Sequence, residues 1–290
     1  MATSVDQVVF IVSNGLIFGS ILALVAVGLS LIFGTLDVPN FAQGEFASVS
    51  GFVVVGLIGI GIGLVPSIIA GIVFAFIAGI TVEKLVIGKF YGRDEFLLMT
   101  FFATFGISII AENVLRRQFG GFRQIPSPDL GSVVIAGTSM DLLRPVAGVI
   151  AVVMLLGLYL FTRHTYTGLA IRAVSSDRRG AEMVGVNYQW IYMLTFGIGA
   201  VLSGISGILY GMLFTLSPTT GVTLTTFAFT IVVLGGVGSF VGTIFASLLI
   251  GLVDTLTATV VGSRWRFFAI FAVLFVVLIF RPEGLRGGST

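Results

Sequence analysis

Long apolar runs separated by short charged clusters dominate the chain. The clusters cut it into segments close to the roughly 20 residues that a helix needs to cross about 30 Å of hydrocarbon. The first run, Val8 to Leu36, carries no charge. It is too long for a cleaved signal segment and no basic stretch precedes it, so a retained helix is expected there. Further spans are expected at Phe46 to Gly63, Pro66 to Val82, Phe96 to Ala111, Pro145 to Phe161 and Ile191 to Leu216. Tyr188, Trp190 and Tyr192 suit an interfacial aromatic belt at the start of the last of these.

From Phe227 the apolar pattern continues to Val261, about 35 residues and more than about 50 Å as a single helix, too long for one straight span. Gly235-Gly236-Val237-Gly238-Ser239 supplies the break, because adjacent glycines weaken a helix and let the backbone turn. Two short spans are therefore predicted, Phe227 to Leu234 and Thr243 to Val260. A last one follows from Phe267 to Phe280, extended by the snorkelling and interfacial side chains of Arg264, Trp265 and Arg266. The pattern predicts an all-α polytopic membrane protein, with about 8 to 9 transmembrane helices in a single domain over residues 1–290. Small residues recur at helical spacing in Gly15/Gly19/Ala23, Ser203/Gly207/Gly211 and Ser239/Thr243/Ser247/Gly251, which predicts close helix packing, chiefly within one subunit. The sequence presents no clear long-period repeat.

Composition supports this reading and narrows the chemistry. Hydrophobic residues make up 57% of the 290 and charged ones only 10%, with a mean hydropathy of +1.14. A soluble domain is typically about 25% charged, so this chain cannot cover its own surface in water. The absence of Cys excludes disulfides, thiol catalysis and thiolate metal sites, and a single His excludes a His-based metal cluster. No cofactor is expected. The net charge of +2 is too even a balance to point to nucleic acid. With nine passes and a cytoplasmic Thr162 to Gln189 loop, the amino end lies outside and the carboxyl end inside. Lys84, Lys89, Arg93, Arg163, Arg172, Arg178, Arg179, Arg281 and Arg286 then fall inside, against Arg116, Arg117, Arg123, Arg144, Arg264 and Arg266 outside. The excess has the expected sign.

Three places are too polar for their surroundings. Asp37 to Phe46 contains no basic residue, two carboxylates, and Pro39 and Gly44, which interrupt a helix. Non-helical backbone at membrane depth is tolerated where it is buried in protein or lines a wet cavity. A broken segment near 37–46 is therefore expected, either lining a path with Asn40, Gln43 and Glu45 or forming an ordinary interfacial turn. Asp254, with Thr255, Thr257 and Thr259, is a second polar group, expected to be solvated near a helix end. Third, the Thr162 to Gln189 loop holds a good helix start in Ser175-Ser176-Asp177 and a good stop in Gly185. Between them Ala181, Met183 and Val184 make a small apolar surface. So short a helix is marginal in water and needs a docking partner or its own subunit to pack on.

These residues resemble a known family, the LivH-type permease subunits of ABC importers for branched-chain amino acids. Asn14-Gly15-Leu16, Gly19-Ser20, Ala23-Leu24 and Gly28-Leu29 look like its opening helix. Asp37-Val38-Pro39-Asn40-Phe41-Ala42-Gln43-Gly44-Glu45-Phe46 is similar to its signature, with Gln43 where the family commonly has His. Gly168-Leu169-Ala170-Ile171-Arg172-Ala173-Val174, Asp177, Ala181 and Gly185-Val186-Asn187 look like its cytoplasmic coupling segment. Val233 to Ser239 and Phe280-Arg281-Pro282-Glu283-Gly284-Leu285 match as well. If position 43 faces the path, Gln43 shifts substrate preference; if it packs the broken segment, its amide fills the same hydrogen-bonding role.

The resemblance implies a multi-pass permease of the cytoplasmic (inner) membrane. It implies pairing with a second, LivM-like permease, two ATP-binding cassette ATPases and an extracytoplasmic substrate-binding protein that docks on outer loops such as Arg116 to Arg144. Under it, a coupling helix near 177–184 transmits ATPase closure, with Gly168, Arg172, Asp177, Ala181 and Gly185 as the coupling residues. Asp177 is expected to cap that helix, Gly185 to turn the chain back and Arg172 to make a charged contact. No enzymatic activity is expected: the only Gly-Lys, Gly88-Lys89, is followed by Phe90, so no phosphate-binding loop is present. Urea and short-amide permeases of the same superfamily are an alternative. A secondary transporter driven through Glu45 or Asp254 is a more distant one.

Overall fold

The computed structural model describes residues 4–135 and 138–285; Arg286, counted above among the inner charges, lies outside them. It is built from α1 (Ser4–Leu36), α2 (Gln43–Gly59), α3 (Leu64–Leu85), α4 (Phe96–Phe119), α5 (Leu143–His164), α6 (Tyr166–Ser176), α7 (Arg178–Met183), α8 (Tyr188–Leu213), α9 (Thr220–Gly235), α10 (Phe240–Val260) and α11 (Arg266–Phe280). Among the described residues seven helices are long and apolar enough to cross a membrane, and α2 and α9 are shorter apolar helices of 17 and 16 residues. The nine predicted spans are therefore all helical.

Several boundaries move. The helix predicted from Phe46 starts at Gln43, so only residues 37–42 form the break and Gln43 and Glu45 sit in the first turn of α2. Asp37 takes a left-handed φ of 56° there, the conformation that ends α1. α9 begins seven residues before the predicted Phe227, because Thr220, Thr223, Thr225 and Thr226 are buried or half-buried polar residues that the apolar pattern does not register as helix. The Thr162 to Gln189 loop contains two helices, α6 and α7. Thr165 caps α6 by accepting from the Gly168 amide at 3.0 Å. Gly168 itself is packed so tightly on the Phe161 and Thr162 carbonyls that a β-carbon would collide with them. The stretch after α4 carries an antiparallel hairpin, Ser132–Ile135 (β1) with Thr138–Asp141 (β2), which hydropathy could not indicate. Backbone bonds of 2.8 and 2.7 Å between Arg123 and Leu216 fasten this stretch to the crossing between α8 and α9.

The order of elements repeats, which the sequence does not reveal. In α1–α4 a long helix, a break, a short helix, a long helix, a 3-10 turn (Ile87–Phe90) and a peripheral helix follow one another. In α8–α11 the same series recurs, with its 3-10 turn at Ser263–Trp265. The packing is reciprocal: α1 lies along α10, α3 along α8, and α2 touches α9. Small residues allow the approach, as Gly15 and Gly19 of α1 meet Leu252, Gly251 and Ser247 of α10 backbone to backbone. The small-residue rows thus pack within the subunit.

One apolar core joins Phe18, Leu22 and Leu29 of α1 to Ile231 of α9 and Ile250 of α10; a second joins Leu24 to Ala151 of α5 and Leu202 of α8. α4, α5 and α11 instead expose Phe102, Ile110, Val149, Val153, Phe268 and Phe275, a surface suited to hydrocarbon and not to water.

Candidate functional site: a groove between α4, α9 and α11

The break after α1 turns back into the middle of the bundle, and hydrogen bonds fix it there. Asn40 donates to the Gln43 side-chain oxygen at 3.0 Å and accepts from the Ala42 amide at 3.1 Å. Gln43 donates to the Gly199 carbonyl at 3.1 Å and to Ser203 Oγ at 2.6 Å, both near the middle of α8. Both side chains are buried and fully engaged, so Gln43 packs the break. The Gly44 amide donates to Thr225 Oγ1 at 2.9 Å, and a β-carbon on Gly44 would overlap the Gly221 carbonyl. The first turns of the two short helices therefore meet inside the protein. Glu45, 2% exposed, lies in this junction against Gly221. The positive ends of two helices favour a carboxylate at such a point. Its Oε1 accepts from Ser108 of α4 at 2.9 Å, while Oε2 has no partner.

Ser108 is also part of the wall of a cavity of about 640 Å³ that opens to one side of the molecule. One face of α4 supplies Phe105, Ser108, Ile109 and Glu112, at helical spacing. One face of α9 supplies Val222, Thr225, Thr226, Phe229, Thr230 and Val233, and α11 adds Phe271 and Leu274. Phe41 is the contribution of the break: its ring stacks on Phe229 at 4.4 Å, and its amide donates to Thr104 Oγ1 at 3.2 Å. The groove is thus largely apolar, with hydroxyls from Ser108 of α4 and Thr225, Thr226 and Thr230 of α9 and the Glu112 side chain of α4. Of the three path residues expected from sequence, only Glu45 approaches it, through Ser108; Asn40 and Gln43 do not line it. Phe41, Ser108, Glu112 and Thr226 were not singled out for it. For Ser108, Glu112 and Thr226 the signal is the spacing of polar residues on one face of an otherwise apolar helix; Phe41, in the break, carries no such signal.

Asp254 is not solvated. It is 1% exposed, and Arg266 grips both of its oxygens, Nε at 2.7 Å and Nη2 in a second, closer contact. The hydropathy pattern placed Asp254 near a helix end but could not show that the next helix returns an arginine over it. The repeat places a comparable pair at the opposite end, where Tyr91, the residue after the other 3-10 turn, donates to Glu83 at 2.6 Å. Burial and this bond hold the Tyr91 hydroxyl above its usual range, so it remains a donor.

At the α6–α7 end the expected coupling residues separate. Ala181 is buried in a cluster with Ile32, Leu36, Val38 and Ile171, while Met183 and Val184 are 83% and 79% exposed. Asp177 occupies the N-cap position of α7 but its side chain accepts no capping bond. Gly185, at φ 87°, ends the helix as expected. Arg172 is exposed and its guanidinium turns back to the Thr162 carbonyl, and Ser175 reaches the Gly34 carbonyl of α1. Among the described residues no group of three or more His, Cys, Asp or Glu is arranged to hold a metal ion.

The sequence profile of the family described as "Branched-chain amino acid transport system / permease component" matches residues 11–279. The high-affinity branched-chain amino acid transport system permease protein BraD of Pseudomonas aeruginosa is 30% identical, with 94% of each chain covered. The corresponding LivH protein of Escherichia coli is 28% identical over the same shares. The solved structure titled "PsaBC from Streptococcus pneumoniae in complex with Fab" has a similar fold, with a TM-score of 0.55 at 12% identity over 93% of this chain and 91% of that one. The chain belongs to the branched-chain amino acid permease component family, and it is a multi-pass membrane protein of the transporter class.

Proposed function

We propose, from that membership, that this chain is one of two permease subunits in an ATP-driven importer of branched-chain amino acids, and that the groove between α4, α9 and α11 is its wall of the transport path. The observation that supports this reading is the meeting of α2 and α9 in mid-bundle directly behind the groove, with a buried carboxylate at the junction. Interrupted helices expose backbone and helix ends where a polar solute must be handled inside a membrane. The apolar lining suits a branched aliphatic side chain, and a groove open along one side is completed by a second permease.

In this reading α6 and α7 face the cytoplasm and carry the ATPase contact, with hydrolysis in the ATPase subunits. Met183 and Val184 supply the exposed apolar surface. Ala181 and Ser175 transmit the push, because both bear on the end of α1. Gly168 sets the angle of α6 on α5. An extracytoplasmic binding protein delivers substrate at the hairpin end, near Arg117 and Arg123. Asn40 and Gln43 act by holding the break in place.

Co-expression with candidate ATPases and a second permease, followed by reconstitution, tests the proposal. Uptake of labelled leucine that needs ATP and binding protein is expected. Uptake by this chain alone without ATP would overturn it, and uptake of urea in place of leucine would retain the mechanism and replace the cargo.

A further inference from the structure

The groove is amphipathic in a particular way. Its apolar walls are Phe41, Phe105, Ile109, Phe229, Phe271 and Leu274, and among the described residues that line it Glu112 is the one acidic or basic side chain. Arg116, one turn on, engages one oxygen of Glu112. That arginine is itself 59% exposed, so it is an exchangeable partner held in solvent. One turn in the other direction Ser108 lines the same wall, and behind Ser108 lies Glu45 with its unpartnered Oε2. Carboxyl groups of α4 and α2 thus converge on one side of an apolar cleft, whose low-dielectric walls strengthen a charge contact made there.

From this juxtaposition we infer that Glu112, backed by Ser108 and Glu45, is the group that recognises the ammonium of the cargo, so the groove selects a primary amine carrying an apolar tail. The inference rests on the groove being the transport path. It separates two readings that the sequence left open, because urea and short amides are neutral and have nothing to exchange for Arg116 at Glu112. An aliphatic amino acid displaces Arg116 with its ammonium and lays its side chain against Phe105 and Phe271. The amine contact is charge-assisted and directional, whereas the apolar contact is permissive, so amine recognition sets the class and the walls set the size.

The absence of Cys makes the test direct. In the importer reassembled with its partner subunits in liposomes, Thr226→Cys places the only thiol of this subunit in the groove. Its labelling rate by a small maleimide is followed with 3-methylbutylamine, 4-methylpentanoate or 4-methylpentanamide present. The amine is expected to protect at concentrations at least ten-fold lower than the acid or the amide. Glu112→Gln is expected to abolish that preference, with labelling itself retained, and Glu112→Asp to restore it. Arg116→Gln, which frees Glu112, is expected to strengthen it and supplies an independent variant. Equal protection by all three ligands, or a preference that survives Glu112→Gln, would overturn the ammonium assignment and leave the path reading standing. A Thr226→Cys that reacts with nothing in the assembled importer would overturn both.

Discussion

Of the three carboxylates buried among the described residues, Asp254 and Glu45 stand under contrasting arrangements. Asp254 is gripped by the planar fork of Arg266, which reaches both of its oxygens, and the pair joins α10 to α11 beside Phe18 of α1. Glu45 has a single serine hydroxyl on one oxygen and nothing on the other. An arginine–carboxylate pair with satisfied geometry holds two elements in register. A carboxylate left half-satisfied at the meeting of two helix ends costs stability, and such a cost is characteristic of sites that work. The comparison teaches that depth alone does not mark a candidate functional acid in a membrane protein; incomplete pairing together with contact to a cavity wall does. Glu83 shares the one-bonded, one-free arrangement of Glu45, but its partner Tyr91 is not part of the groove wall, whereas Ser108, the partner of Glu45, is.

Removing the clamp should have the largest effect. Arg266→Met leaves Asp254 buried without a countercharge, and because Arg266 is 37% exposed the loss is at the low side for buried pairs, about 2–3 kcal/mol. The measurement is the thermal unfolding of the purified permease. Combining it with Asp254→Asn should recover most of the loss, since no unpaired charge then remains; a double variant as unstable as the single one would mean that the arginine acts by packing. Gln43→His should cost about 1 kcal/mol. The amide makes one accepted and two donated bonds, whereas a neutral imidazole has one donor and one acceptor. Substrate competition should be unchanged, and a shift in it would place position 43 on the path. Asp177→Ala should change stability by less than about 0.5 kcal/mol, because the lost interaction is with the helix end and not a capping bond. In contrast, Met183→Asp with Val184→Asp should leave unfolding unaltered while abolishing co-purification of the ATPases; retained co-purification would move the contact off this surface.

Much of this was legible in the sequence because lipid imposes length. Each of the nine apolar runs is a helix, and the glycine break at 235–239 lies where α9 hands over to α10, with Gly236 at φ 96°. The polarity of residues 37–46 makes the break legible, but it does not tell which of them face a cavity. Asn40 is buried in hydrogen bonds to Gln43 and the Ala42 amide, and Gln43 in bonds to Gly199 and Ser203 of α8, positions 156 and 160 residues away that no local pattern connects to it. The start of α9 was missed because Thr220, Thr225 and Thr226 read as a polar connection, although threonines satisfy themselves inside a helix, as Thr226 does by donating to the Val222 carbonyl at 2.9 Å. The repeat was invisible because it resides in the order and packing of elements and not in shared side chains. The groove is out of reach for the same reason, since its walls come from α4, α9 and α11, which belong to different halves of the chain.

The measurement that tests the central claim most directly is ATP-driven uptake of labelled leucine by the reconstituted importer carrying Glu45→Gln, taken together with the yield of assembled complex. The account predicts that assembly and unfolding temperature are maintained, because an amide replaces a half-satisfied carboxylate of the same shape, while uptake falls at least ten-fold. Uptake equal to that of the unaltered importer, or a loss that follows the loss of assembled complex, would contradict it and return Glu45 to a purely structural role.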